Sequence, residues 1–513
     1  MVIILRVGLF LIILVVILFI YVLFNKRVLI FRIKVFNVNF FRDFEILFNV
    51  WRVIFLLIVI LIRTRVLIFS LSYIRGLRVN NFIFLYLSFI IRIMWLIINN
   101  RFYWIIFGWD GLGVVSFLLI VFYINCERIN NGLFTLFQNR VGDLFFVIFI
   151  LGLRSLLIWN EIVIIGGLVF LVIGSSVKRA QFPFNSWLLS AIRAPTPISS
   201  LVHSSTLVVA GVFVLLQYRY CLRRILDLLK YIRLVRLMIR GFGLLNERDI
   251  KKLIAYSTIN HVSLMLYIIR FKLLKVTYFH LNIHAIFKSL MFICFGFLML
   301  RSYHSQDKRL VRLRSLNPLI KVIYYFSCIC LSGLPFLRGF FSKDLIIEKM
   351  IEHSLERTFI IFLLLFLGVR VYYRIKLIIL FKILTVYTIN EKQILGIRRV
   401  VLISVVMVIF INIYLRLIFR LSLELVSFKI IIYLLIVVFL LIRIFTKLNF
   451  KMGLYEKIQN FKESWRINYY GVDKFVYWHF FLFLEYMGIN TKVKIILLIN
   501  WWVIIGIIII FCE

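Results

Sequence analysis

Apolar residues recur in runs of about 20 from one end of the chain to the other, each long enough to cross a bilayer as a helix. Polar and charged residues gather between the runs. The pattern predicts spans at 3–24, 47–74, 81–98, 102–124, 133–153, 160–182, 197–218, 225–245, 250–270, 277–300, 319–337, 340–351, 358–384, 398–420, 428–446 and 494–511. That is on the order of fifteen helices joined by short loops, with 47–74 serving as one long span or two short ones. The expected fold is an all-α polytopic membrane protein. One longer polar stretch, Thr446–Tyr477, mixes Lys and Glu with Leu, Trp and Phe, which suits an extramembrane arm or an interfacial helix before an isolated last span. Met1–Phe24 is apolar except Arg6. It is too long for a signal-peptide core and has no small-residue cleavage site, so it reads as a first span. No Arg- and Ser-rich transit segment precedes it; a mitochondrial home therefore implies synthesis inside the organelle, a bacterial one the inner membrane.

Composition agrees: 64% of the 513 residues are hydrophobic. Lys and Arg number 62 against 21 acids, a net charge of +41. In a soluble chain that balance points to nucleic acid. Here the basic residues flank apolar runs, as loop charges, interface anchors and snorkelling side chains do. The partner implied is the lipid bilayer, not nucleic acid. Arg92, Arg154 and Arg240 fall within runs and carry no evident role. The cysteines (126, 221, 294, 328, 330 and 512) form no CxxC pair and no ligand spacing, and read as small apolar fillers.

Against this background the ionisable groups inside spans stand out, since each is costly there and marks function by default. Residues 175–218 hold Pro183, Pro195 and Pro197, three of the chain's five prolines, around Lys178 and His203. A proline frees backbone groups, which a span tolerates where they line a cavity or are buried in protein. A second interruption, GLPFLRGFFSKD, sets Pro335 and Gly339 ahead of Lys343 and Asp344. Broken segments in two halves of a chain point to a transporter with inverted repeats. Asp110 lies roughly 12 Å into its run at 1.5 Å per residue, and there a carboxylate is protonated or paired with a cation. Lys178 is its natural partner. A Lys–Asp pair able to separate is a proton switch, whereas a fixed pair only clamps two helices. His203 suits relay work by its near-neutral titration, or serves as a hydrogen bond to Ser204, Ser205 or Thr206. His280, His284 and Lys288 share one helix face at i, i+4, i+8. HxxxH can bind zinc, but a lysine on the same face fits a row of titratable groups along a wet channel better. Asp143 and Asp249 are supporting acids, the latter in an interfacial cluster with Lys251 and Lys252. GWDGLG follows no strand and lacks dinucleotide spacing, and no haem or iron–sulfur ligand set is evident, so any driving force comes from partner subunits or an ion gradient.

Seven segments carry a family resemblance: FGWDGLGVVSFLLIVFY (107–123), NRVGDLFF (139–146), KRAQFPFNSWLLSAIRAPTPISSLVHSSTLVVAGVFVL (178–215), ERDIKKLIAYST (247–258), HLNIHAIFKSLMFICFG (280–296), QDKRLVRL (306–313) and SGLPFLRGFFSKDLIIE (332–348). In this order they resemble the antiporter-like subunits of respiratory complex I, relatives of multi-subunit cation/proton antiporters. The resemblance implies two inverted five-helix repeats, each with a broken helix. It divides the chain into N-terminal helices (1–100), two repeats (101–245 and 246–385), C-terminal helices (386–445), and a lateral arm with a final anchor (446–513). It implies a subunit of the H+-translocating NADH:ubiquinone reductase in the mitochondrial inner membrane, ahead of a bacterial one. Its partners are sister antiporter-like chains of the membrane arm. NADH, FMN, iron–sulfur clusters and ubiquinone belong to partner subunits; this chain binds no cofactor and no metal. Asp110 then takes the acidic partner of the first lysine, where many relatives carry Glu, and Lys178 that switch lysine. His203 is the relay histidine, His280, His284 and Lys288 the central relay, and Lys343 with Asp344 the outlet. The chain departs from the family at Leu189, usually Pro, at Arg193 and Arg338, which add cations, and at NHVSLM (260–265), usually small and polar. A free-standing cation/proton antiporter subunit shares the same motifs and is the competing expectation; a sister chain of complex I lacks the C-terminal arm, and a scaffold has no use for the buried charges.

Overall fold

A run such as VWRVIFLLIVILIRTRVLIFSLSY can satisfy its own backbone in lipid only as a helix, and it forms one, α1 (Val50–Tyr73). The computed structural model describes residues 29–33, 44–74, 79–123, 125–155, 161–181, 184–202, 206–218, 249–270, 273–301 and 318–332, together with 306, 339, 342, 343 and 346. Among them the chain is mostly helical. After α1 come α2 (Val79–Ile98), α3 (Phe102–Ile120), α4 (Cys126–Ser155), α5 (Glu161–Lys178), the short α6 (Ser186–Ala191) and α7 (Thr196–Val202), then α8 (Leu207–Gln217), α9 (Ile250–Arg270), α10 (Leu274–Arg301) and α11 (Pro318–Ser332). Among the described residues, five stretches are long and apolar enough to cross a membrane: Val50–Tyr73, Val79–Ile98, Cys126–Ile150, Thr196–Gln217 and Leu274–Leu300.

Helices lie at 50–73, 79–98, 102–120, 161–178, 250–270, 274–301 and 318–332, close to the predicted spans. Two differences have simple causes. α4 starts at Cys126, not near 133, because the polar ERINNG extends the helix beyond its apolar part. Ahead of α1 an antiparallel hairpin pairs β1 (Leu29–Ile33) with β2 (Phe44–Phe48), with Arg32 opposite Glu45 in register. LIFRI and FEILF are too short to span, and their aromatic and β-branched residues suit a strand. Glu45 is tied to Arg101 at 2.8 Å, joining the hairpin to the start of α3. The spans predicted at 3–24, 225–245, 358–384, 398–420, 428–446 and 494–511, most of 340–351, and the arm at 446–477 lie outside the described residues.

The core runs along α1, α8, α9 and α10, whose side chains are buried nearly throughout. Small residues bring the next layer close. A Cβ on Gly174 of α5 would lie 2.8 Å from the Gly142 carbonyl oxygen of α4, and one on Gly142 would lie 2.9 Å from Val177 Cβ. Only glycine permits this approach, the usual device where helices pack in a membrane. Its consequence is positional: Asp143 follows Gly142, and Lys178 sits one turn beyond Gly174. Cys294, Cys328 and Cys330 are buried thiols, as fillers are, whereas Cys126 is exposed.

Candidate functional site

The first cluster is assembled by α3, α4 and α5. Lys178 is the last residue of α5, where the negative end of the helix dipole favours a cation. The helix breaks there: the chain turns through Arg179 and Ala180, whose φ is 50°, before α6 begins at Ser186. Asp110, Asp143, Arg140 and Lys178 are all buried. Arg140 Nη1 bonds Asp110 Oδ1 and lies 3.6 Å from Asp143 Oδ2. Lys178 Nζ lies 3.1 Å from Asp143 Oδ1. It also donates to the Trp109 carbonyl and stands 4.4 Å from the centre of the Trp109 ring. Two carboxylates and two cations thus cancel. Buried charge is tolerable only when compensated in this way.

The sequence pairs Asp110 with Lys178. In the structure Arg140 holds Asp110, and the carboxylate against Lys178 is Asp143. Arg140 is one helical turn before Asp143, so α4 presents a cation and an acid on the same face. Arg193, expected to add a cation near the motif, is largely exposed and pairs with exposed Glu127 instead. Arg92 is likewise exposed and reaches the Phe107 carbonyl at 3.4 Å.

The second cluster lies between α9 and α10. Lys288 is fully buried; its Nζ donates to the Ile254 carbonyl at 3.1 Å and to Ser257 Oγ. His280 and His284 are buried one turn apart on the same helix. His280 Nδ1 is 3.0 Å from Ser342 Oγ, and the neighbouring Lys343 donates to the Leu331 carbonyl. Gly339 packs against the Cys330 carbonyl with no room for a Cβ. His261 of α9, from the stretch that departs from the family pattern, completes the group. Its Nδ1 is 3.1 Å from His280 Nε2, and its ring lies 5.1 Å from that of His284. It was legible in principle, since a histidine inside an apolar span is a candidate by itself; no partner on its own helix drew attention to it.

Asp249 pairs with Lys252 at 2.7 Å, both partly exposed, as an interfacial cluster should. Lys251 does not belong to that cluster. It is buried and donates to the Ala194 carbonyl at 3.0 Å and, more weakly, to Ile192 at 3.5 Å. These carbonyls end the segment that Pro195 and Pro197 turn into α7. Pro197 sits in the first turn, where its missing N–H costs nothing, and the Pro195 carbonyl accepts from Ile198 N at 3.0 Å. Two further cations were not anticipated: Arg63 and Arg65, midway along α1, are fully buried, with Arg63 5.6 Å from the Phe89 ring centre. Pro183, His203, Pro335 and Asp344 lie outside the described residues.

Known proteins with the same pattern narrow what such a site belongs to. Residues 100–369 match the profile of the NADH:quinone oxidoreductase/Mrp antiporter transmembrane family. NADH-ubiquinone oxidoreductase chain 5 of Anopheles gambiae is 39% identical over 316 residues, 58% of this chain and 54% of the relative. The Anopheles arabiensis protein of the same name is 39% identical over 300 residues, 56% of this chain and 77% of the relative. That of Locusta migratoria is 38% identical over 304 residues. The chain spans about half the length of the Anopheles gambiae and Locusta relatives, 54% and 52%. Two solved structures share the fold: the Mrp complex from Dietzia, with a TM-score of 0.76 and 16% identity over 99% of this chain and 60% of that one, and the archaeal membrane-bound sulfane sulfur reductase, with a TM-score of 0.70 and 18% identity over 80% and 88%. The matched profile begins just before α3 and takes in both charged clusters, so the chain belongs to the NADH:quinone oxidoreductase/Mrp antiporter transmembrane family.

Proposed function

We propose that the chain is a membrane-arm subunit of a respiratory NADH:ubiquinone oxidoreductase of the mitochondrial inner membrane and moves protons while partner subunits oxidise NADH and reduce ubiquinone. The observation that carries this is the buried four-charge cluster of Asp110, Arg140, Asp143 and Lys178 in a chain whose relatives are named NADH-ubiquinone oxidoreductase chain 5. FMN and iron–sulfur clusters belong to the partners, and sister antiporter-like chains are the neighbours.

In this proposal the fold comprises about fifteen helices with two inverted five-helix repeats, near 101–245 and 246–385, each holding a broken helix. Lys178 is the first switch. When Asp143 and Arg140 re-pair, Lys178 loses its counter-charge and releases its proton. His203 takes it onward. Lys288, His284 and His280 form the middle of the path, and Lys343 with Asp344 the outlet. Proton transfer between such groups needs no bond other than N–H and O–H to form or break.

A free-standing cation/proton antiporter subunit is the second reading, favoured by the match in fold to the Mrp complex over 99% of this chain. One experiment separates them. Intact complexes from native membranes are resolved on a native gel, stained for NADH dehydrogenase activity and analysed by mass spectrometry. Migration in the large NADH-oxidising band supports the first reading. Migration in a smaller assembly without NADH activity overturns it in favour of the antiporter.

A further inference from the structure

His261 joins the central group from a different helix, and the hydrogen bonds around it are satisfied in one consistent direction. Ser342 Oγ donates to the Gly339 carbonyl at 3.2 Å. Its hydroxyl proton is committed, so in the 3.0 Å contact with His280 Nδ1 the serine oxygen accepts and His280 carries its proton on Nδ1. Neutral His280 then offers a lone pair at Nε2. The 3.1 Å contact with His261 Nδ1 is satisfied when His261 donates. The result is a continuous hydrogen-bonded chain from α9 to α10 to Ser342, next to Lys343 in sequence. All three side chains are buried.

We propose that His261 is a proton-carrying member of the path, handing a proton across from α9 to His280 and on toward Lys343. This rests on the proton-translocating reading above. A proton taken up at His261 Nε2 releases the Nδ1 proton to His280 Nε2. His280, now protonated on both nitrogens, releases its own Nδ1 proton to the Ser342 oxygen as that hydroxyl turns and gives its proton to the neutral amine of Lys343, where this segment of the path ends. Each histidine and the serine gains one proton and loses one, and no electron changes place. Among the described residues, the titratable groups facing His261 are His280 and His284 from α10, with Lys288 one turn beyond at Ser257, and Lys343 beside Ser342. The segments of α6 and α8, SWLLSA and LVVAGVFVLLQ, bring none.

The test uses the intact complex in proteoliposomes, with protons moved per NADH oxidised read by a pH-sensitive dye, and assembly checked on a native gel. Three variants are compared: K343M, H261Q and H261L. Glutamine keeps a hydrogen-bonding side chain at 261 but cannot accept a proton and pass it on. The expected result is that H261Q lowers protons per NADH as far as K343M does, and that the double variant lowers them no further. A parental yield in H261Q beside a lowered yield in H261L and K343M shows a hydrogen bond used for packing only and overturns the proposal for His261 alone. A parental yield in K343M overturns the translocation reading, and the role of His261 with it. S342A guards against loss of folding: it leaves His261 in place, removes the other end of the same chain, and is expected to match H261Q.

Discussion

At the scale of single residues the decisive contact is Lys178 with Asp143 at 3.1 Å, beside Arg140 with Asp110. Asp143→Asn leaves two cations and one carboxylate in a buried site. Removing one partner of a buried pair costs about 3–5 kcal/mol, so the variant is expected to assemble poorly and to pump little of what does assemble. Restoring the balance with Arg140→Gln leaves Asp110 and Lys178 as a neutral pair. The double variant is therefore expected to recover assembly over D143N alone, measured as the intensity of the NADH-oxidising band on a native gel. A double variant no better than the single one shows that charge balance does not govern the site. Asp110, Asp143 and Lys178 were legible in the sequence, because ionisable groups in apolar runs announce themselves; Arg140 was not singled out and emerges only from its contacts with Asp110 and Asp143. The pairing was not legible. Asp110, Asp143 and Lys178 come from three helices, and the close approach of α4 to α5 at Gly142 and Gly174 sets Asp143 against the lysine. Lys251 shows the same limit: its neighbours Asp249 and Lys252 are interfacial, but one position along the helix turns its side chain into the core.

At the scale of elements, the register of α4 against α5 sets Asp143 against Lys178. Gly174→Val puts a branched side chain where a Cβ already falls 2.8 Å from the Gly142 carbonyl and 3.3 Å from Phe146 N. Overpacking of this kind costs about 1–3 kcal/mol, and here it also drives Asp143 away from Lys178. The expected outcome is a lower unfolding temperature of the assembled complex together with lost pumping, whereas Gly167→Ala, whose Cβ meets only Phe149 at 3.9 Å, leaves both near parental values. Lys251→Met tests the joint between α9 and the segment that enters α7. It leaves the Ala194 carbonyl buried and unpaired, at about 1–3 kcal/mol, and is expected to lower the unfolding temperature with protons per NADH unchanged. Most element positions were legible, since a 20-residue apolar run has one solution in lipid. The β1–β2 hairpin was not, because ten strand residues carry too little pattern beside such runs.

At the scale of the whole molecule, the apolar runs have two destinations that the sequence does not separate: the protein core or the surrounding lipid. α1 and α2 are equally apolar to the eye, yet α1 is buried almost throughout while α2 exposes Phe84 (73%) and Ile91 (64%), seven residues apart on one face. On α11, Val322 is 64% exposed and Phe326 lies on the same side. Large apolar side chains turned outward from a charged, buried interior are the reverse of a water-soluble arrangement, and follow directly if lipid is the solvent. This fixes an outcome that can be measured. A nitroxide attached to Phe84→Cys or Val322→Cys, with the native cysteines replaced, is expected to be relaxed strongly by dissolved oxygen, which concentrates in the hydrocarbon core, and weakly by a water-soluble nickel chelate. Relaxation dominated by the chelate at both sites places these faces in water and overturns the membrane placement of α2 and α11. Protection from both agents at one site, with oxygen dominant at the other, assigns the protected face to a neighbouring subunit and the open one to lipid.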